Sequence, residues 1–237
     1  MRILMAAVLL AALPTAAMAS VESDRCNELA AEGSDNDAAI DACNRAIETG
    51  LSDRARAAVY NSRGLARMAK DEFDAAIGDF DKAQTLAKED VGIMVNRGTA
   101  YGLKGDYQKA LAEFQTAVSY GRQNGKAING LCYTRALLGD MDGARKDCAR
   151  ALEVDPNEPY VLDSRGFLFF RSGDFRRALA DYNLALEIDP VRASTLFARG
   201  VTKIRLGQRQ EGEQDMMAAR AINPKIDVRM KKIGLMP

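Results

Sequence analysis

Residues 160–190 read YVLDSRGFLFFRSGDFRRALADYNLALEIDP, and their pattern recurs along most of the chain at a spacing of thirty-four residues. From Gly166 that step reaches Gly64, Gly98, Cys132 and Gly200. Twelve residues after each of these five comes Ala76, Ala110, Ala144, Ala178 or Gly212, and seven further on stands Ala83, Ala117, Ala151, Ala185 or Ala219. Between the two small residues lies Phe80, Phe114, Cys148, Tyr182 or Met216. Small residues at constant offsets on two amphipathic segments require two helices that approach closely at the same point of every unit. A fixed period of this length marks an array of hairpins, each too small to bury its apolar face without a neighbour.

The pattern resembles the tetratricopeptide repeat: Gly in a first helix, Ala, aromatic and Ala in a second, then a closing Pro, here Pro156, Pro190 and Pro224. The resemblance covers residues 57–226 as five copies, at 57–90, 91–124, 125–158, 159–192 and 193–226. It implies an all-α fold, a right-handed solenoid of stacked antiparallel helix hairpins. Two departures stand out. Tyr60, Met94, Ile128, Leu162 and Leu196 replace the family's first-helix Trp, and Lys88 and Arg122 replace Pro in the first two copies. Residues 20–56 hold an incomplete leading hairpin, with Ala39, Cys43 and Ala46 at second-helix positions and the extra residues of its longer spacing at 48–53. Residues 227–237 are expected to form a capping helix, with Ile226, Met230 and Ile233 on its apolar face and Arg229, Lys231 and Lys232 on its polar one.

The turn inside each hairpin is written as Gly105-Asp106-Tyr107, Gly139-Asp140-Met141 and Gly173-Asp174-Phe175. Gly closes the first helix in the left-handed conformation, and Asp is expected to accept hydrogen bonds from free amides of the second. The first copy has Asp71-Glu72-Phe73 instead, at an expected cost in stability.

Residues 1–19, MRILMAAVLLAALPTAAMA, have the layout of a secretory signal peptide: one basic residue, a short apolar run and a small-x-small cleavage site. A mature chain from Ser20, periplasmic or secreted from a bacterium, is the expectation. The 33 Lys+Arg balance 33 Asp+Glu with the signs interspersed, which leaves no electrostatic footprint for nucleic acid. No later stretch is apolar enough for membrane insertion. His is absent, so the commonest general base and metal ligand is missing, and neither a cofactor, a metal nor an enzyme activity is expected.

Arg63, Arg97, Arg165 and Arg199 each precede the key Gly, and sixteen residues later stand Asp79, Glu113, Asp181 and Asp215. In an antiparallel hairpin these face each other as structural salt bridges, worth about 0–1 kcal/mol each if exposed. The third copy has Leu131 in place of the Arg. Its Cys132 and Cys148 occupy the Gly and aromatic positions, and Cys26 and Cys43 sit at nearly the same places in the leading hairpin. Four cysteines permit three connectivities; Cys26 with Cys43 and Cys132 with Cys148 would staple one hairpin each.

The resemblance also implies a ligand surface on the inner face, made by the first helices. It carries Asn61, Ser62, Asn96 and Thr99 in its N-terminal half, then Asn129, Tyr133, Tyr160, Asp163, Phe167, Phe170, Phe197 and Arg205. The expected function is a non-catalytic scaffold that binds an extended peptide or partner protein, with amides for backbone and rings for apolar side chains. The alternatives are a regulator of cell-wall hydrolysis, or an enzyme of it that uses carboxylates such as Asp163 as acid-base groups, and a purely structural oligomer.

Overall fold

A computed structural model of the chain describes residues 15–237, so most of the predicted leader lies outside the described residues. The described residues form thirteen helices and divide into two compact units. The first unit, ending at Lys88, holds α1 (Thr15–Glu32), α2 (Asn36–Ile47), α3 (Asp53–Ala69) and α4 (Phe73–Leu86). The second, from Glu89, holds α5 (Val91–Lys104), α6 (Tyr107–Tyr120), α7 (Gly125–Leu138), α8 (Met141–Val154), α9 (Pro159–Arg171), α10 (Phe175–Ile188), α11 (Ala193–Arg205), α12 (Arg209–Ile222) and α13 (Ile226–Lys232). Consecutive helices pair as antiparallel hairpins. Within the second unit the first helices α5, α7, α9 and α11 also touch in sequence, which is the stacking of a solenoid. The predicted cleavage position, Ala19–Ser20, falls within α1.

Each hairpin closes at its small residue. A Cβ placed on Gly64 would lie 2.6 Å from the Phe80 ring, and one on Gly166 would lie 2.7 Å from the Tyr182 ring. At Gly200 the backbones themselves meet, and a Cβ would lie 2.6 Å from the Gly212 carbonyl oxygen. Phe80 and Tyr182 are fully buried in these seams. Where the small position is Cys132, its partner is Cys148 and the two are bonded as a disulfide. Cys26 and Cys43 join α1 to α2 in the same way.

Beside each seam runs an ion pair. Arg63 meets Asp79 at 2.6 Å, Arg97 meets Glu113 at 2.8 Å, and Arg165 and Arg199 meet Asp181 and Asp215 at 2.7 Å. Three of the four are bidentate. The value expected for exposed pairs needs correction where the carboxylate is buried, as at Asp79, 1% exposed, Asp181, 3%, and Asp215, 8%. Removing one member of such a buried pair costs about 3–5 kcal/mol, since the other is left charged and unpaired. A second cation, four residues after the first, also joins the pair: Arg67 reaches Asp79 and Lys203 reaches Asp215, both at 2.8 Å. In the third copy, where Leu131 removes the first cation, Arg135 stands alone 3.3 Å from Asp147 and without hydrogen-bond geometry.

The turns follow their sequences. Gly105, Gly139, Gly173 and Gly207 take φ between 78° and 106°, and Asp71 takes φ 63° at the same place, the one non-Gly residue with positive φ among those described. Asp140 and Asp174 accept from the amides of Gly143 and Arg177. Asp106 departs from the expectation. It makes no capping bond and lies instead 3.6 Å and 3.8 Å from Lys104 and Lys109, whose charges draw it away from the helix amides.

Three outcomes are expected from chemical denaturation. Asp71→Gly should stabilise the protein by about 1 kcal/mol, because Gly enters the left-handed region without a Cβ penalty. Replacing both Cys132 and Cys148 by Ala should cost about 2–4 kcal/mol. Cys132→Gly with Cys148→Tyr should recover part of that loss, because it restores the packing used at Gly166 and Tyr182.

Candidate functional site

The adjacency of α5, α7 and α9 brings Asn96, Thr99, Asn129, Tyr133, Tyr160 and Asp163 around one pocket of about 470 Å³. The volume is that of a small-ligand or side-chain site. All of its lining belongs to the second unit. The apolar floor includes Val95, Leu137 and the Phe114 ring, which reaches the pocket because Gly130 has no side chain to block it. The far wall is α13 and the residue after it, through Arg229, Met230, Lys232 and Ile233.

The polar groups differ in how they are held. Asn129 Oδ1 is buried with no hydrogen-bond partner among the described residues. A buried acceptor of that kind takes its donor from water or from a bound molecule. The Thr99 hydroxyl donates to the Val95 carbonyl at 2.8 Å, and the Tyr160 hydroxyl donates to Asp155 Oδ2 at 2.8 Å, so both donors are already used within the protein. The Tyr133 ring lies 4.9 Å from that of Phe167, and burial pushes its phenol up. Asp163 Oδ1 accepts from the Thr195 hydroxyl at 2.7 Å. Burial pushes its carboxyl above the ordinary value, more than the Thr195 hydrogen bond and the Arg192 charge draw it down.

Three rings expected on the ligand surface are buried instead. Phe197 is 0% exposed and Phe167 2%. Phe197 stands on α11, the helix against which α13 packs, and Phe167 borders a small cavity closed by Ile233 and Leu235. The C-terminal segment thus covers the inner face at the last two copies. Phe170, 9% exposed, packs against Phe175, and Arg205 donates to the Met236 carbonyl at 3.3 Å. Asn61 and Ser62 lie on α3 in the first unit, where Ser62 donates to Asn27 at 2.7 Å. Arg229 and Lys232 line the pocket although the repeat pattern does not mark them. Their signal in the sequence is a spacing of three on a short amphipathic helix. Among the described residues no group of three or more His, Cys, Asp or Glu could hold a metal ion, and no helix is long and apolar enough to cross a membrane.

Residues 95–159 and 161–192 match models of the tetratricopeptide repeat, so the chain contains tetratricopeptide repeats there. As a class such proteins are non-catalytic modules that bind proteins or peptides. Solved structures share the fold at low identity. That of pilF from Pseudomonas aeruginosa has a TM-score of 0.62 and 14% identity, over 92% of this chain and 98% of that one. A tetratricopeptide repeat protein from Parabacteroides merdae has a TM-score of 0.52 and 15% identity, over 92% and 98%. YrrB, described as a protein of this kind with an unusual peptide-binding site, has a TM-score of 0.50 and 23% identity, over 83% and 100%. No curated protein matches the chain.

The raised carboxyl of Asp163 gives a pH dependence. The folded state holds this proton more tightly than the unfolded one, so stability declines as pH rises from about 3.9, the unfolded value, through the higher folded value. Asp163→Asn keeps the acceptor for Thr195 and removes the charge. It should melt higher than the parent at pH 7 and converge with it at acid pH, in thermal melts followed by circular dichroism across that range.

Proposed function

We propose that the second unit is a scaffold that binds an extended peptide, or such a segment of a partner protein, in the pocket between α5, α7, α9 and α13. The observation that carries this reading is Asn129 Oδ1, a buried acceptor with no donor among the described residues, set beside the apolar floor. A peptide amide of the ligand would supply the missing hydrogen bond, and an adjacent side chain would enter beside Tyr133 and Tyr160. The peptide-binding site described for YrrB, which has the same fold, is consistent with this use.

The same proposal places the protein in the bacterial envelope. The leader-like residues 1–19 support that location, and so do the two disulfides, since such bonds persist in oxidising compartments.

Selection from an unbiased displayed-peptide library provides the test. Enriched peptides should bind Asn129→Ala and Tyr133→Ala about tenfold more weakly than the parent, a difference of about 1.4 kcal/mol. The helical circular dichroism should be unchanged. Leu184→Ala and Met217→Ala, at exposed positions of α10 and α12, should leave binding as it was. Failure to enrich any peptide, or equal binding by both pairs of variants, overturns the proposal.

A further inference from the structure

Within that reading, we infer that the bound segment is acidic, with Glu or Asp flanking an apolar side chain, and that α13 is a working wall of the site as well as the end of the array. Four charged residues line the pocket. Lys126 comes from the start of α7, Arg229 and Lys232 come from α13, and Asp163 is the one carboxylate. Asp163 is already held by Thr195 and lies in surroundings that disfavour its charge. The cations are exposed at the rim, above a floor of Val95, Phe114, Leu137 and Met230. A concave wall of low dielectric focuses the field of such charges on whatever enters.

The excess is local, because the whole chain carries 33 cationic and 33 anionic residues. It also has a structural origin. Asp227, the acid on α13, is tied at 2.7 Å to Arg220 on α12, while Arg229 and Lys232 of the same helix line the pocket. A nucleic acid would ask for a basic stripe along its backbone, whereas this site is a pocket with an apolar floor. The floor and the rim together select a peptide with an apolar anchor and acidic flanks.

Fluorescence anisotropy with three labelled hexapeptides tests the inference, the central pair Leu-Phe being flanked on each side by two Glu, two Ser or two Lys. In about 50 mM salt the Glu peptide should bind about tenfold more tightly than the Ser peptide, and the Lys peptide more weakly than either, with the differences shrinking in about 500 mM salt. Lys126→Glu combined with Lys232→Glu changes two exposed side chains and should invert the order. Equal binding of the Glu and Ser peptides, preference for the Lys peptide, an order unmoved by the double variant, or no binding by any of the three overturns the inference. So does tighter binding of a labelled thymidine dodecamer that competes at the same site. Library peptides enriched without acidic residues would leave the scaffold reading standing and overturn this one.

Discussion

Everything in this fold depends on two helices closing at a point where one of them has no side chain. At Gly64 and Gly166 the space that a Cβ would fill is taken by the ring of Phe80 or Tyr182, so the aromatic side chain of the second helix lies in a socket on the first. Burying such a side chain contributes about 1.5–3 kcal/mol, but its larger effect is on register, because the ring has one socket and the hairpin can close in one way. Two hairpins use a different solution to the same constraint. In α7–α8 and α1–α2 the socket residue and the ring are both replaced by Cys, and a covalent bond holds the approach that packing holds elsewhere. The exchange has to be made at both positions together, as sulfur on one side alone would neither fill the socket nor bond.

The ion pairs follow from this closure. Once the helices approach so closely, the residue before the socket and the acid sixteen residues later are forced together in the seam, away from water. There a lone charge would be expensive, which is why Asp79 and Asp215 each gather two cations. Burial opposes the Asp215 carboxylate, but the hydrogen bonds of Arg199 and Lys203 outweigh it and hold its carboxyl below the ordinary value. The third copy lacks the first cation, and burial there leaves the Asp147 carboxyl raised in spite of Arg135. The hairpin with the poorest ion pair is thus one of the two closed by a disulfide.

The period, the turns and the paired Arg and acid could be read from the chain because each is a local consequence of one hairpin, repeated with the same offsets. The second cation was missed for the opposite reason: Arg67, Arg135 and Lys203 alternate with Tyr101 and Phe169, so no constant residue marks the position. Phe167 and Phe197 were read as ligand contacts because inner-face positions are open in a continuing array. Here the segment after α12 does not continue the repeat, and it folds back over those positions. Asn129 and Tyr133 belong to the middle of the second unit, and the structure leaves them on the pocket.

The end of the array and the character of the site are therefore one problem. The last hairpin would expose the apolar inner side of α11, and α13 covers it by burying Ile226 and Met230, with Leu235 following at 2% exposure. A seven-residue helix that turns its apolar side to α11 has its other side available for polar residues. Its position beside the first helices then brings Arg229 and Lys232 to the pocket. Two of the three cations that line the pocket come from this segment, outside the repeating pattern. A reading confined to repeat positions can recover the floor and its amides, but the sign of the rim is set by how the chain finishes.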